Sequence, residues 1–129
     1  MLEMTKTATL KKEIEPYHES MMEKFLIINK DLFYTGLSVE EILVYAYLKD
    51  KRELSVSKVR EGSIKYYDDK EEDVYCVVSN QELMNFMKIK GKPKIIGIKK
   101  KLEDLGLIKQ VKQFDNSNKI FIYDYKVEW

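Results

Sequence analysis

Lysine recurs at positions 88, 90, 92, 94, 99, 100 and 101, and again at 109, 112 and 119. Ammonium groups at this density suit one kind of chemistry: they neutralise phosphates and release the counterions condensed on a nucleic-acid backbone. Ten lysines against three acids (Glu103, Asp104 and Asp115) give this stretch +7, so in a chain of net charge +1 the remainder carries −6. Much of that negative charge sits in Asp68-Asp-Lys-Glu-Glu-Asp73. Charge divided in this way focuses a positive field on one part of the surface.

Other chemistries find less support. His18 is the only histidine, so a histidine-held metal beside a nucleophilic tyrosine, as DNA nicking requires, cannot be assembled. The nine tyrosines fall at strand and helix spacings that suit core and interface packing. There is no glycine-rich phosphate loop followed by Lys-Ser or Lys-Thr, which argues against nucleotide hydrolysis. Asp68, Asp69, Glu71, Glu72 and Asp73 have no supporting histidine and read as a solvated hairpin tip. No catalytic residue, metal or cofactor is therefore expected. Cys76 lies in an apolar run and reads as a small buried side chain. With neither a signal peptide nor an 18-residue apolar run, a cytoplasmic protein with no membrane partner is expected.

The lysines need elements to position them. Residues 1 to 24, interrupted by Pro16, read as an N-terminal arm in which Leu10, Ile14, Tyr17, Met21 and Met22 give near-helical spacing. A domain over 25 to 129 follows. Phe25 to Ile28 predicts a short strand. Ser38 and Glu41 form a capping box, opening a helix with Val39, Ile42, Leu43 and Ala46 as its core stripe and an end near Lys51 to Leu54. Ile64 to Tyr67 and Val74 to Val78 predict strands on either side of the acidic tip. Ser79 and Glu82 repeat the capping box before a short helix that turns Leu83, Met84, Phe86 and Met87 inward. After a turn at Gly91, Pro93 belongs to the first turn of the next helix, whose buried seam is Ile95, Ile98, Leu102 and Leu105. Gly106 supplies its left-handed cap. Leu107 to Phe114 and Lys119 to Tyr125, joined by Asp115-Asn-Ser-Asn118, predict a hairpin.

This order gives an α+β fold: a winged helix-turn-helix with an additional β-hairpin after the first core helix. The second helix of such a pair enters the major groove and the wing reaches backbone or minor groove. At about 100° per residue, the face opposite the seam carries Ile96, Gly97 and Lys100 with Lys99 and Lys101 beside them, extended by Lys90, Lys92 and Lys94. From the wing, Lys112, Asn116, Asn118 and Lys119 join the expected DNA-binding set. An exposed Ile96 makes sense against a thymine methyl. Gly97 costs a helix about 1 kcal/mol against alanine, and either close approach of a partner backbone or core packing accounts for it. The helix has no Arg, Asn or Gln for bidentate base contacts, so shape, Lys–guanine contacts or the wing must supply specificity.

Four segments also resemble a known family in one order: Tyr45-Ala-Tyr-Leu-Lys-Asp-Lys-Arg-Glu-Leu-Ser55, Val74-Tyr-Cys-Val-Val-Ser-Asn-Gln-Glu-Leu-Met84, Lys99-Lys-Lys-Leu-Glu-Asp-Leu-Gly-Leu-Ile108 and Asn118-Lys-Ile-Phe121. They are similar to the RepA N-terminal-domain family of replication initiators from low-copy plasmids of Gram-positive bacteria, over roughly residues 24 to 123. The resemblance implies an origin-binding domain, usually a homodimer, on repeated double-stranded DNA sites. Whole initiators of that type are much longer. A winged-helix transcriptional regulator on a promoter operator, with an effector pocket or added dimerisation helix, is the alternative; a module binding only proteins is a third.

Overall fold

The computed structural model describes residues 25–114 and 117–125. The expected arm over 1 to 24, together with Asp115, Asn116 and residues 126 to 129, lies outside the described residues. After a 3₁₀ turn at Lys30–Tyr34, the elements are α1 (Val39–Arg60), β1 (Tyr67–Asp68), β2 (Asp73–Val74), β3 (Cys76–Val77), α2 (Asn80–Met87), α3 (Lys92–Asp104), β4 (Ile108–Val111) and β5 (Lys119–Ile122).

The capping box that opens α1 is complete: the Glu41 amide donates to Ser38 Oγ at 3.1 Å and the Ser38 amide to Glu41 Oε1 at 2.8 Å. From Ile42 to Leu48 burial extends around much of the helix, with Ile42, Val44, Tyr45, Ala46 and Leu48 enclosed. α1 packs against α2, α3 and strands of both sheets, which requires apolar side chains on more than one face. The expected stripe starts one turn too early, since Val39 at the solvent end is 59% exposed. Nor does α1 stop near Lys51 to Leu54. No glycine or proline occurs between Val39 and Gly62, Arg52 Nη2 meets Asp73 Oδ1 at 3.2 Å, and Ser55 is buried. Gly62, at φ +103°, then turns the chain as the Ser63 amide bonds back to Lys58 O.

The strands differ more from expectation. Phe25 to Ile28 forms no strand. The 64–67 and 74–78 segments do not make one simple hairpin either. β1 and β2 pair only at Tyr67↔Val74 and Asp68↔Asp73, and Ile64 is exposed. β3 leaves that ribbon and pairs antiparallel with β5 (Cys76↔Ile120, Val77↔Lys119), giving a sheet of order β3-β5-β4. Cys76 Sγ reaches Leu48 O at 3.9 Å, and burial pushes its thiol pKa up to about 12. The expectation of a small buried side chain there holds.

The second capping box is half made. Ser79 Oγ accepts from the Glu82 amide at 3.0 Å, but the Glu82 carboxylate turns to α1, taking the Tyr47 hydroxyl and the Lys51 ammonium, the latter at 3.0 Å. Burial and the adjacent carboxylate raise the Tyr47 pKa. Of the four side chains expected to face inward, Leu83 is buried and Met84 and Met87 pack on the core. Phe86 is instead partly exposed and packs at a tilt on Tyr47, with ring centroids 4.4 Å apart.

Substitutions on α1 separate the observed core from the expected stripe. Ile42→Ala should cost about 2–5 kcal/mol, whereas Val39→Ala should stay within about 0.5 kcal/mol. Denaturant midpoints of the two variants check this.

Candidate nucleic-acid interface

α2 and α3 meet across Lys88-Ile-Lys-Gly91. Lys88 takes the left-handed conformation (φ 57°, ψ 40°) and the Ile89 amide bonds back to Met84 O at 3.0 Å. Gly91 is the N-cap of α3 but offers no side chain to the free amides, and the first turn holds Lys92 and Lys94 with no acid. Cations and no cap at the positive end of a helix dipole oppose folding locally. The same arrangement of free amides and ammonium groups suits an external phosphate.

Along α3, Ile95, Ile98 and Leu102 are buried as the spacing requires. The fourth seam position differs: Leu105 is 53% exposed and Leu107 enters the core in its place. Gly106, at φ +78°, causes the exchange by reversing the chain, with the Leu107 amide bonded to Leu102 O and the Gly106 amide to Glu103 O. This is a Schellman ending.

Opposite the seam, Lys92, Ile96, Gly97, Lys100 and Lys101 stand exposed, Ile96 at 48%. A Cβ built on Gly97 meets nothing within 4 Å, which removes core packing as the reason for that glycine. Lys100 lies 3.8 Å from Asp104, and Lys94 pairs with Glu40 at 2.9 Å. Exposed pairs of this kind contribute about 0–1 kcal/mol, too little to withhold either ammonium from a phosphate. Lys90 and Lys112 are exposed as well.

Lys99 leaves the expected surface. It is 6% exposed, its Nζ donates to Asn80 Oδ1 at 2.9 Å, and burial depresses its pKa. The helical wheel put Lys99 beside the free face, but α2 lies across that flank. Lys99 is a strut between the helices of the pair.

Three acids hold the wing. Glu103, near the end of α3, accepts from the Gln110 amide at 2.9 Å. Glu71 accepts from Lys109 Nζ at 2.8 and 2.9 Å. Asp68 accepts from Lys119 Nζ at 2.9 Å while the Lys70 and Glu71 amides donate to its other oxygen. Lys119 also stands over the Tyr75 ring, 4.8 Å from its centroid. The acidic segment 68 to 73, expected to be a solvated tip, is thus a clasp on the wing. No spacing rule pairs position 68 with 119, so the sequence carried no signal for it. Lys119, expected on DNA, is engaged where β5 leaves the wing loop, opposite Val111. Asn118 is half-buried beside it, and Asn116 lies outside the described residues.

A cavity of about 450 Å³, lined by Phe25, Ile27, Leu32, Tyr45 and Tyr125 among others, shares no lining residue with α3. Among the described residues no group of three or more His, Cys, Asp or Glu side chains could hold a metal ion, and no helix is long and apolar enough to cross a membrane.

A helix pair backed by a third helix, with a basic outer face and a three-stranded sheet ending in a pinned hairpin, defines a winged helix-turn-helix domain. Residues 20–129 match the family model for the N-terminus of replication initiator protein A (RepA), and the chain belongs to that family. It is 36% identical over 97 residues to a 41 kDa protein of Lactobacillus helveticus, an alignment covering 74% of this chain and 25% of that protein. The chain therefore spans about a quarter of the length of this relative. Among solved structures it is similar to one described as the N-terminal domain of a DNA-binding protein, with a TM-score of 0.65 and 26% identity over 95% of this chain and 88% of that one. A structure of a Rep–DNA complex is similar at a TM-score of 0.63 and 27% identity, over 87% of this chain and 84% of that one.

Two substitutions test the division of the lysines. Lys101→Met should lower the slope of log affinity against log salt for duplex DNA by about 0.9, the value for one phosphate contact. Lys99→Met should leave that slope unchanged, because the Lys99 ammonium is turned to Asn80 and away from the exposed face.

The clasp has a pH window. The Lys119 ammonium and two backbone amides lower the Asp68 pKa from 3.8, so its contribution is complete above 3.8 and disappears as pH falls through the depressed folded value. Lys119, raised from 10.5 by the same pair, loses its contribution as pH rises through its own folded value. An NMR titration of the wing amides should give an acid midpoint below 3.8. Asp68→Asn should loosen β5 already at neutral pH, seen as faster hydrogen exchange; an unchanged rate removes the clasp.

Proposed function

We propose that this chain is the origin-binding domain of a plasmid replication initiator, recognising repeated double-stranded DNA sites as a homodimer. The observation that carries the reading is the two-sided α3: a buried apolar seam on one face, and Lys92, Ile96, Gly97, Lys100 and Lys101 bare on the other. Membership of the initiator family and similarity to a Rep–DNA complex support it. α3 lies in the major groove, with Gly97 allowing close approach and Ile96 meeting a thymine methyl. Lys90, Lys92, Lys94, Lys100, Lys101 and Lys112 neutralise backbone phosphates. The domain acts by binding, without a catalytic step or cofactor, in the cytoplasm where its DNA resides. A single helix and wing read only a few base pairs, and each mismatch costs about 1–3 kcal/mol. Two copies on repeated sites multiply that discrimination, which is the physical ground for the homodimer.

DNase I footprinting of the domain on its own coding sequence and flanks is the deciding experiment, with complex stoichiometry read by sedimentation. Evenly spaced protected repeats within the gene, each holding two chains, are expected. A single promoter-proximal operator would favour a transcriptional regulator instead, and an absence of protection at low salt would remove the DNA reading altogether.

A further inference from the structure

We infer that Phe114, at the tip of the wing, is a DNA-contacting residue that wedges against the minor groove beside the site occupied by α3. This rests on the DNA-binding reading above and assigns the wing a recognition role of its own.

Phe114 is 98% exposed, the most exposed large apolar side chain among the described residues. It follows β4 by three positions, where the hairpin begins to reverse. Gln113 Nε2 donates to Ser117 O at 2.8 Å, and the Phe114 ring lies in solvent. The ring therefore contributes nothing to the core, and its exposure opposes solubility unless something covers it.

The surroundings identify the cover. A protein interface buries a contiguous apolar patch, whereas the chain on either side of Phe114 is polar. Its sequence neighbours from Lys112 to Asn118 are Lys, Gln, Asp, Asn, Ser and Asn. A single aromatic ring in a polar loop with a lysine beside it has the composition of a groove wedge. The exposed Lys112 holds the phosphate, and the ring meets sugar carbons or a partly unstacked base step. Rigidity supports the same assignment. Glu103, Glu71 and Asp68 fix both strands of the wing to α3 and to the β1–β2 ribbon, so the tip meets the duplex at a set distance from α3. Flexible pyrimidine–purine steps are the cheapest to unstack. The wing thus reads a TA or CA/TG step at a fixed offset from the bases under α3.

The test uses the 129-residue chain and duplexes that it selects from a pool with a randomised 25-base-pair centre. Phe114→Ala should fold with an unchanged melting temperature. It should bind the selected duplex about tenfold more weakly, with an unchanged salt slope because no phosphate contact is lost. Its own selected pool should lose the preference at one flank. Methylation of adenine N3, which reports the minor groove, should be suppressed at that flank by the unsubstituted chain and restored by Phe114→Ala. Phe114→Trp, which keeps a wedge, should rescue both. If Phe114→Ala selects the same sequences with the same affinity while Lys101→Met still lowers the salt slope, the DNA reading stands and the wedge is wrong. If Phe114→Ala weakens self-association without changing flank methylation, the ring belongs to a protein contact and the inference falls. If the unsubstituted chain selects no duplex at low salt, both readings fall together.

Discussion

The burial of Ile95, Ile98 and Leu102 beneath α1, α2 and the sheet is the constraint on which the rest depends. These residues anchor α3 by its inner face. A helix beginning with Lys92, Pro93 and Lys94 and no side-chain cap has little reason to form by itself. Burying three large aliphatic side chains provides it, at about 1.5–3 kcal/mol for each. The outer face is then released from any structural duty. That explains how a glycine with open space above its Cα and a half-exposed isoleucine occur mid-helix.

Charge is sorted around this anchor with a consistent logic. Two acids of the β1–β2 ribbon and an asparagine of α2 engage three lysines of the basic segment. Asp68 and Glu71 take Lys119 and Lys109 at the strands of the wing, and Asn80 takes the buried ammonium of Lys99. Lys92, Lys100 and Lys101 on the outer face of α3, with Lys90 before it and Lys112 on the wing, stay exposed. The net charge of the whole chain stays near neutral all the same. The paired lysines give rigidity in place of affinity.

Helix and wing are joined by more than the chain between them. Glu103 stands on α3 yet bonds to the backbone of β4, so the last turn of the helix and the first strand of the wing move as one piece. The Schellman turn at Gly106 shortens the connection to a minimum and returns Leu107 to the core. From the other side, the β1–β2 ribbon is itself tied to α1 through Arg52 and Asp73. The strands of the wing are thus tied both to α3 and to the ribbon.

The sequence by itself determined the helices and their inner faces. Capping residues, a 3.6-residue apolar period and the glycine ending α3 are local signals, and each acts within a few residues of its cause. Ser38 with Glu41, the seam from Ile95 to Leu102, the turn at Gly106 and the basic outer face were all legible, and the family resemblance was legible in the same segments. Only the tertiary structure decided which lysines remain free. Lys99 and Lys101 are two residues apart in one basic run, yet α2 covers one and leaves the other bare. The same holds for the acidic segment, whose partners at 109 and 119 lie some forty to fifty residues away. It holds also for β3, which joins the wing sheet rather than the ribbon before it, and for the second half of α1, held by Arg52 on Asp73. The physical reason is common to all four. Periodicity reports the direction in which a side chain leaves its own element, while burial and pairing depend on what stands opposite, and that is set only when distant elements meet.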